Sequence, residues 1–470
     1  MDHSRLRFGI IVMLLALVAA ACGGGDTPGA EEGGDEAGEP IELTVAANAV
    51  RGGKNEFTAR WMFDYVIPTF EQQMADAGKD ATVEFIESGV DDEDYKSRLA
   101  LDLQAGEGAD VIDVDGFWLS EFATAEFIRP LEEVVGPEIN DWEGWEQIPE
   151  AVATGVEISG QRYALPVGTD GRVLFFRKDV FNKAGLEEDW QPTSWEEILQ
   201  AGRQIADSQP DVTPLQINAG VSMGEATTLQ GFIPILLGTG ADLYTDGGWL
   251  GDGPPLQEAL GFFDTVYGEG LGDAQLQVRA DGRDRSFQEF AEGRIGVLIE
   301  SDYLWRSVVN PGEGLFPIEN RDEVVGYAKI PAMEPGSGIR GQDFVSASGG
   351  SARVINPNTE HPQEAWELLS FLGSKEALTE FVEGEPRITA RQDVNESPAV
   401  TEDPILEYIA TEVLPITWYR PGFEEYVQVS EAITRMTENV VADRSDPAGA
   451  AQEYEATISG VVGPDNIRAE

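Results

Sequence analysis

The side chains that most often carry covalent chemistry are nearly missing from this chain. Cys22 is its only cysteine, and His3 and His361 are its only histidines. One cysteine closes no intramolecular disulfide and builds no Cys-based zinc cluster. Two histidines, the first in a leader expected to be removed, supply neither a multi-histidine metal site nor much imidazole acid–base chemistry. Carboxylates are abundant, 86 Asp and Glu in all. Two of them about 5–10 Å apart could hydrolyse a glycosidic bond, but so many acids permit such a pair without pointing to it. Gly220-Val221-Ser222-Met223-Gly224 matches G-x-S-x-G, an elbow that needs a strand running straight into the serine and a helix after it. Leu215 to Asn218 is a brief strand at best, and His361, between Glu360 and Pro362 at a helix entrance, reads as a solvated residue. Gly238-Thr239-Gly240 lacks the further Gly and the Lys of a phosphate loop. Most familiar hydrolase plans therefore fail on these residues, and no metal or cofactor is expected.

The charge balance narrows the partners. Against the 86 acids stand 31 basic residues, 24 Arg and 7 Lys, for a formal charge of −55. Such a surface repels phosphate backbones and anionic headgroups, which sets nucleic acid aside. Acid-rich, Lys-poor surfaces suit a salty medium, where counterions screen the self-repulsion. With 470 residues, 41% of them apolar, the chain has material for a large core and two or three units.

Arg5 and Arg7 precede an apolar run from Phe8 to Ala21, too short for a membrane-spanning helix of about 20 residues and suited to a signal-peptide core. The run ends Leu17-Val18-Ala19-Ala20-Ala21-Cys22-Gly23, which resembles the lipobox of bacterial lipoproteins, with Ala19 where that motif usually has Leu or Val. The resemblance implies cleavage after residue 21 and a diacylglycerol thioether on Cys22. Gly23 to Pro40 (GGGDTPGAEEGGDEAGEP) has no aromatic or branched apolar residue, so residues 22–40 read as a lipidated cysteine and an acidic tether.

From Ile41 onward the elements alternate. Ile41–Ala47 reads as a half-buried strand, and a helical pattern from Thr58 to Met74 carries Trp61, Met62, Tyr65, Val66, Phe70 and Met74, with a bend at Pro68. A strand over Thr82–Ile86, a helix over Asp94–Leu103 and a strand over Asp110–Val114 follow. After Gly160 the grammar restarts. Arg172–Arg177 (RVLFFR) reads as a buried strand, Ser194-Trp195-Glu196-Glu197 as a capping box, and Ile295–Ile299 and Val324–Ile330 as strands. Pro362 opens and Gly373 closes a helix, and Ser374 caps the next. This is an α/β chain of two lobes joined by extended crossings.

Several segments resemble the family 1 extracellular solute-binding proteins, the sugar receptors of ABC importers. They are Tyr163–Leu186 (YALPVGTDGRVLFFRKDVFNKAGL), Trp190–Leu199 (WQPTSWEEIL), Phe290–Ile299 (FAEGRIGVLI), the Ser348-Gly349-Gly350 turn and Ile355–Leu372 (INPNTEHPQEAWELLSFL). The similarity spans essentially 41–470, and only the set together is specific. The resemblance implies a two-lobed periplasmic-binding-protein-like fold with a hinge and an interlobe cleft. One lobe would hold 41–165 and 345–385, the other 166–344 and 386–470. It further implies a membrane-anchored, extracytoplasmic receptor that hands its ligand to permease subunits and catalyses nothing.

A sugar ring offers an apolar C–H face and a rim of hydroxyls, which aromatic side chains and carboxylates, amides or Arg respectively satisfy. Loops at strand ends facing the cleft supply such pairs: Lys54 and Asn55; Asp115 and Trp118 (DGFW); Asp170 and Arg172 (TDGR); and Glu225. Asp302, Tyr303 and Trp305 (ESDYLWR) and Trp418, Tyr419 and Arg420 (TWYRPG) complete the candidates. In maltose-binding-type relatives the regions resembling DGFW, ESDYLW and TWYRPG line the cleft. Trp61, Trp195 and Trp366 lie at helical spacing and are assigned to packing. The same fold taking a peptide, a polyamine or an anion is the alternative, and a cationic ligand would suit the acidic surface.

Overall fold

A computed structural model describes residues 40–468 apart from Asp91, Asp246, Glu313 and Glu424. The leader, Cys22 and the tether up to residue 39 lie outside the described residues. Among the described residues no helix is long and apolar enough to cross a membrane.

The first strand, β1 (Ile41–Ala47), lies parallel to β2 (Ala81–Glu87) on one side and to β3 (Val111–Asp115) on the other. Leu43, Val45 and Ala47 enter one core and Ala46 another, so helices cover both faces. Two further strands, β4 (Leu165–Gly168) and β11 (Ser351–Ile355), complete the sheet in the order β2-β1-β3-β11-β4, with β11 antiparallel to both neighbours. The helical stretch after the Gly-rich loop is α1 (Glu56–Trp61), a π turn over Met62–Val66 and α2 (Ile67–Asp76). The expected bend at Pro68 takes the form of that wide turn just before it. Pro68 has no N–H to give the preceding turn and its ring crowds the carbonyl four residues back, which an i→i+5 turn accommodates. Next comes α3 (Asp92–Gln104), which leads into β3.

The second sheet has the order β8-β5-β7-β6, from β5 (Arg172–Arg177), β6 (Thr213–Gln216), β7 (Ile295–Ser301) and β8 (Val325–Ala328). Every residue of β5 and of β7 is buried, which is why neither alternates in polarity. Flanking it, α4 (Trp195–Ser208) starts at Ser194, whose Oγ accepts from Glu197 N at 3.4 Å, while the Glu197 carboxylate accepts from Thr193 N at 2.6 Å. The reciprocal half of the box thus closes one residue earlier than the pattern implies. Trp195 packs on Phe262 of α5 (Pro254–Gly268), and α6 (Gly282–Ala291) leads into β7.

A small third sheet joins β9 (Ile330–Pro331), β10 (Phe344–Ser348) and β12 (Thr417–Tyr419), with β10 and β12 parallel from Ser346↔Thr417 to Ser348↔Tyr419. Pro362 opens α7 (Pro362–Leu372), Gly373 caps it, and Ser374 caps α8 (Lys375–Gly384). Asp403 caps α9 (Pro404–Tyr408), and two long helices follow, α10 (Tyr426–Val441) and α11 (Pro447–Val462), packed on α5. Trp61, Trp195 and Trp366 are all core residues, between 4% and 7% exposed.

Candidate functional site

Three connecting stretches, the crossings, meet near one another: Thr169–Gly171 from β4 of the first sheet to β5 of the second, Gly349–Gly350 from β10 of the small sheet to β11 of the first, and a segment around Arg387–Arg391 after α8. The third is tied to β4 by an isolated bridge, Gly168↔Thr389, and by Ala390 N donating to Val167 O. Where they meet lies a cleft of about 820 Å³. Its walls come from α3 and the end of β3 on one side, and from residues 221–230, α6, the end of β7 and α10 on the other.

Ion pairs furnish this cleft. Arg420, 8% exposed at its side chain, donates from Nη2 to Asp115 Oδ1 at 3.1 Å and from Nη1 to Glu225 Oε1 at 3.3 Å. It therefore joins the end of β3 to the loop after β6. Gly349 makes room for it, because a Cβ there would stand 2.8 Å from Arg420 Nη2. Glu225 also accepts from Tyr426 Oη at 2.8 Å and Ser430 Oγ at 2.6 Å. Burial raises the Glu225 carboxyl above its ordinary range, only partly offset by Arg420 and the two hydroxyls.

On the first crossing, Arg172 Nη1 binds Asp170 and also donates to Ala347 O at 3.0 Å. Asp170 Oδ1 accepts from Ser348 Oγ at 2.8 Å and Gly349 N at 3.3 Å. Burial pushes this carboxyl up, but Arg172, Ser348, Gly349 and Arg420 outweigh it and hold it below the usual value. At the end of β7, Asp302, 2% exposed, accepts from Arg306 Nε at 3.0 Å. Arg306 Nη1 reaches Glu385 Oε1 at 3.3 Å, and Arg387 Nη2 binds the same oxygen. Beside them Arg283 forks onto buried Glu300 at 2.9 and 3.0 Å.

Of the residues nominated from sequence, the cleft brings together Asp115, Trp118, Asp170, Arg172, Glu225 and Asp302, with Arg420. Trp118 faces it with little surface, being 6% exposed and packed between Tyr95 and Phe122. Lys54 and Asn55 stand one contact back. Lys54 Nζ holds Asp92 Oδ1 at 2.7 Å, and Asn55, at φ 48°, turns the loop and donates to Asn48 O at 2.9 Å. Tyr303 packs on Phe287, and Tyr419 Oη accepts from Thr169 Oγ1 at 3.5 Å; neither lines the cleft.

Trp305 and Trp418 are corrections to the sequence reading. Trp305, 3% exposed, lies in the core with Arg321 Cζ 3.6 Å above its ring and Nε1 donating to Asp403 Oδ2 at 3.1 Å. Trp418, 8% exposed, donates from Nε1 to Asp242 Oδ1 at 2.9 Å inside the second core. Buried indoles need an acceptor for their one N–H, and here it comes from Asp403 and Asp242, far along the chain, not from the charged residues beside each Trp in the sequence.

Sequence reasoning passed over Phe117, Arg283, Arg306 and Arg387. Phe117 sits inside the quoted DGFW and is more exposed than Trp118, with Arg420 Cζ 5.5 Å and Lys96 Nζ 5.7 Å from its ring. Arg306 follows Asp302 at i+4, a spacing visible in the sequence. Arg387 carries no local signal, because the crossing that brings it in is tertiary. Ser222 lies in a short 3₁₀ turn, Val221–Met223, with its hydroxyl on Val278 O at 3.3 Å. β6 ends at Gln216, well before it, so the strand-to-elbow geometry is not formed.

Two α/β lobes joined by crossings that floor a polar cleft define a two-lobed solute-binding fold. The chain belongs to the family described as bacterial extracellular solute-binding protein, whose model matches residues 63–379. A putative binding protein of Brucella abortus is 20% identical over 366 residues, 78% of this chain and 82% of that one. A solute-binding protein of an ABC transporter from Thermotoga lettingae, solved with α-D-tagatose, is 25% identical with a TM-score of 0.71, covering 90% of this chain and 100% of that one. A maltose-bound MalE of T. maritima has 21% identity and a TM-score of 0.71 over 90% of this chain and 100% of that one.

Proposed function

We propose that this protein is the extracytoplasmic receptor of a carbohydrate ABC importer. It takes a sugar or oligosaccharide between its lobes, closes on it and presents the loaded form to permease subunits in the membrane. The observation that carries this reading is the cleft. At about 820 Å³ it falls in the range of small-molecule sites, and charged side chains able to hold hydroxyls in pairs surround one accessible ring, Phe117. The tagatose- and maltose-bound neighbours support the same ligand class. Cys22 carries the lipid anchor on this reading, so Cys22→Ser should move the protein from the membrane fraction to the soluble one.

The test is a thermal-shift screen against mono-, di- and oligosaccharides in high-salt buffer, with each sugar assayed afterwards for released reducing ends. A ligand at about 100 times its Kd adds roughly 2.7 kcal/mol of stability. A shift with the sugar recovered intact is the expected result. Released product would make the protein a hydrolase, and no shift with any sugar would overturn the carbohydrate reading.

A further inference from the structure

The cleft does not share the charge of the rest of the chain. Seven of the 31 basic residues line it, against only six of the 86 acids. In a protein this poor in cations, their concentration in one cavity separates the cleft from the anionic surface around it. Most of these cations are already paired, so enrichment alone would not identify a ligand.

The pairing is incomplete at one place, however. Arg306 and Arg387 converge on a single oxygen, Glu385 Oε1; Arg306 also binds Asp302, so Arg387 shares its carboxylate with a guanidinium that has a second one. Among the described residues, Nε of Arg387 is buried without a hydrogen-bond partner, and so is Nε of Arg172, whose side chain is 4% exposed. With them stands Asp302, 2% exposed, whose Oδ1 is a buried acceptor to which no group among the described residues donates. All four residues other than Glu385 line the cleft. Burial and the like charge of Arg306 hold the Arg387 guanidinium below its usual range, a condition that an incoming anion relieves. Unfilled N–H groups on guanidiniums call for a carboxylate or phosphate oxygen, and an unfilled carboxylate oxygen calls for a hydroxyl.

We propose that the ligand is an acidic sugar, a polyol bearing a carboxylate or phosphate group. Its anionic group is held by Arg306 and Arg387, and one of its hydroxyls donates to Asp302. The inference rests on the sugar-receptor reading and narrows it to one class. Lys54 and the acidic exterior take no part. Dense acids outside and cations inside also mean that the local field, not the net charge, decides what enters.

The experiment is calorimetric titration of the purified chain with glucuronate, galacturonate, glucose 6-phosphate, glucose, galactose, maltose and inorganic phosphate. An acidic sugar should bind about 10- to 100-fold more tightly than its neutral counterpart, the worth of one or two charge-assisted hydrogen bonds. The uronate and phosphate arms then name the anionic group. Arg387→Gln should remove that advantage while Arg387→Lys restores part of it, and Asp302→Asn should weaken acidic and neutral sugars alike. Melting of each variant without ligand guards against misfolding. Neutral sugars binding as tightly as acidic ones, or Arg387→Gln leaving the ratio unchanged, would overturn the inference and leave the sugar receptor standing. Inorganic phosphate binding as well as the acidic sugars would overturn it too, because no hydroxyl would then be read. Binding of none of the sugars would overturn the carbohydrate reading itself.

Discussion

Replacing Trp305 by alanine separates a core residue from a ligand platform. The indole is 3% exposed, has Arg321 Cζ 3.6 Å above its face and Tyr327 edge-on at 6.1 Å, and donates to Asp403 at 3.1 Å. Asp403 also caps α9, accepting from Ile405 N at 3.0 Å, so the indole braces a helix start as well as filling space. Truncating a buried Trp costs about 3–5 kcal/mol, and loss of a hydrogen bond to a carboxylate adds about 1–2 kcal/mol. Loss of about 5 kcal/mol is the working figure. With ~2.1 cal/mol/K of unfolding entropy per residue, a body of about 430 residues melting as one unit loses about 5 °C, and a lobe melting alone about twice that. Urea denaturation with fluorescence detection reads the free energy directly, and titration with whichever sugar the screen finds reads the site. Trp305→Phe, which keeps most of the packing and drops the N–H, should lose only about 1–2 kcal/mol. An unchanged midpoint for Trp305→Ala together with abolished sugar binding would refute the argument and return the indole to the ligand.

Three further outcomes follow from single contacts. Asp170 has a carboxyl held below the ordinary value of about 3.9. It therefore contributes stability above that pH, lost as pH falls through its folded value. Asp170→Asn should be less stable at neutral pH and show a shallower loss below about pH 4 in urea titrations; parallel curves would contradict this. Arg420→Met strands Glu225 and Asp115 without their shared cation and should cost about 3–5 kcal/mol, and adding Glu225→Gln should recover part of it, read from a double-mutant cycle. Ser194→Ala removes the cap of α4 for about 1 kcal/mol, whereas Ser194→Gly costs a few tenths of that, both measurable as denaturant midpoints.

Local rules made much of the fold legible. β1 and β5 have the bounds read from sequence, because a run such as RVLFFR, apolar between two arginines, has no stable place except a strand covered on both faces. Ser194, Ser374, Pro362 and Gly373 mark helix ends because their preferences act within one turn. The cleft was legible where its residues sit on strand ends, as with Asp115, Asp170 and Asp302. It was not where an aromatic beside a charge has two physical meanings. For Trp305 the charges are Arg321 and Asp403, far along the chain, and they bury the ring rather than flank a ligand. Arg387 was out of reach for another reason. Nothing within its own turn shows that a third crossing carries it to Arg306, because that contact is set by how α8 ends and how Thr389 pairs with Gly168.

The placement of the charged residues ties ligand capture to the crossings. Thr169, Asp170, Gly349 and Arg387 are cleft wall and crossing at once, so on the proposed reading a ligand that fills the cleft acts on the segments that join the lobes. A ligand moves a two-state equilibrium only by its differential affinity for the two states, and a shift from 1:99 to 99:1 needs about 5.5 kcal/mol. Arg420 reduces what the ligand must supply. It neutralises Asp115 on one wall and Glu225 on the other, two carboxylates that would otherwise repel across the gap. On the proposed reading Arg420→Met should therefore favour the open form even with ligand present, seen as a larger radius of gyration by small-angle scattering. Glu225→Gln should be more compact than Arg420→Met, because it removes a repelling charge and keeps the guanidinium on Asp115. Equal radii for the two variants, with and without sugar, would mean that this ion pair holds the local loops and has no part in the angle between the lobes.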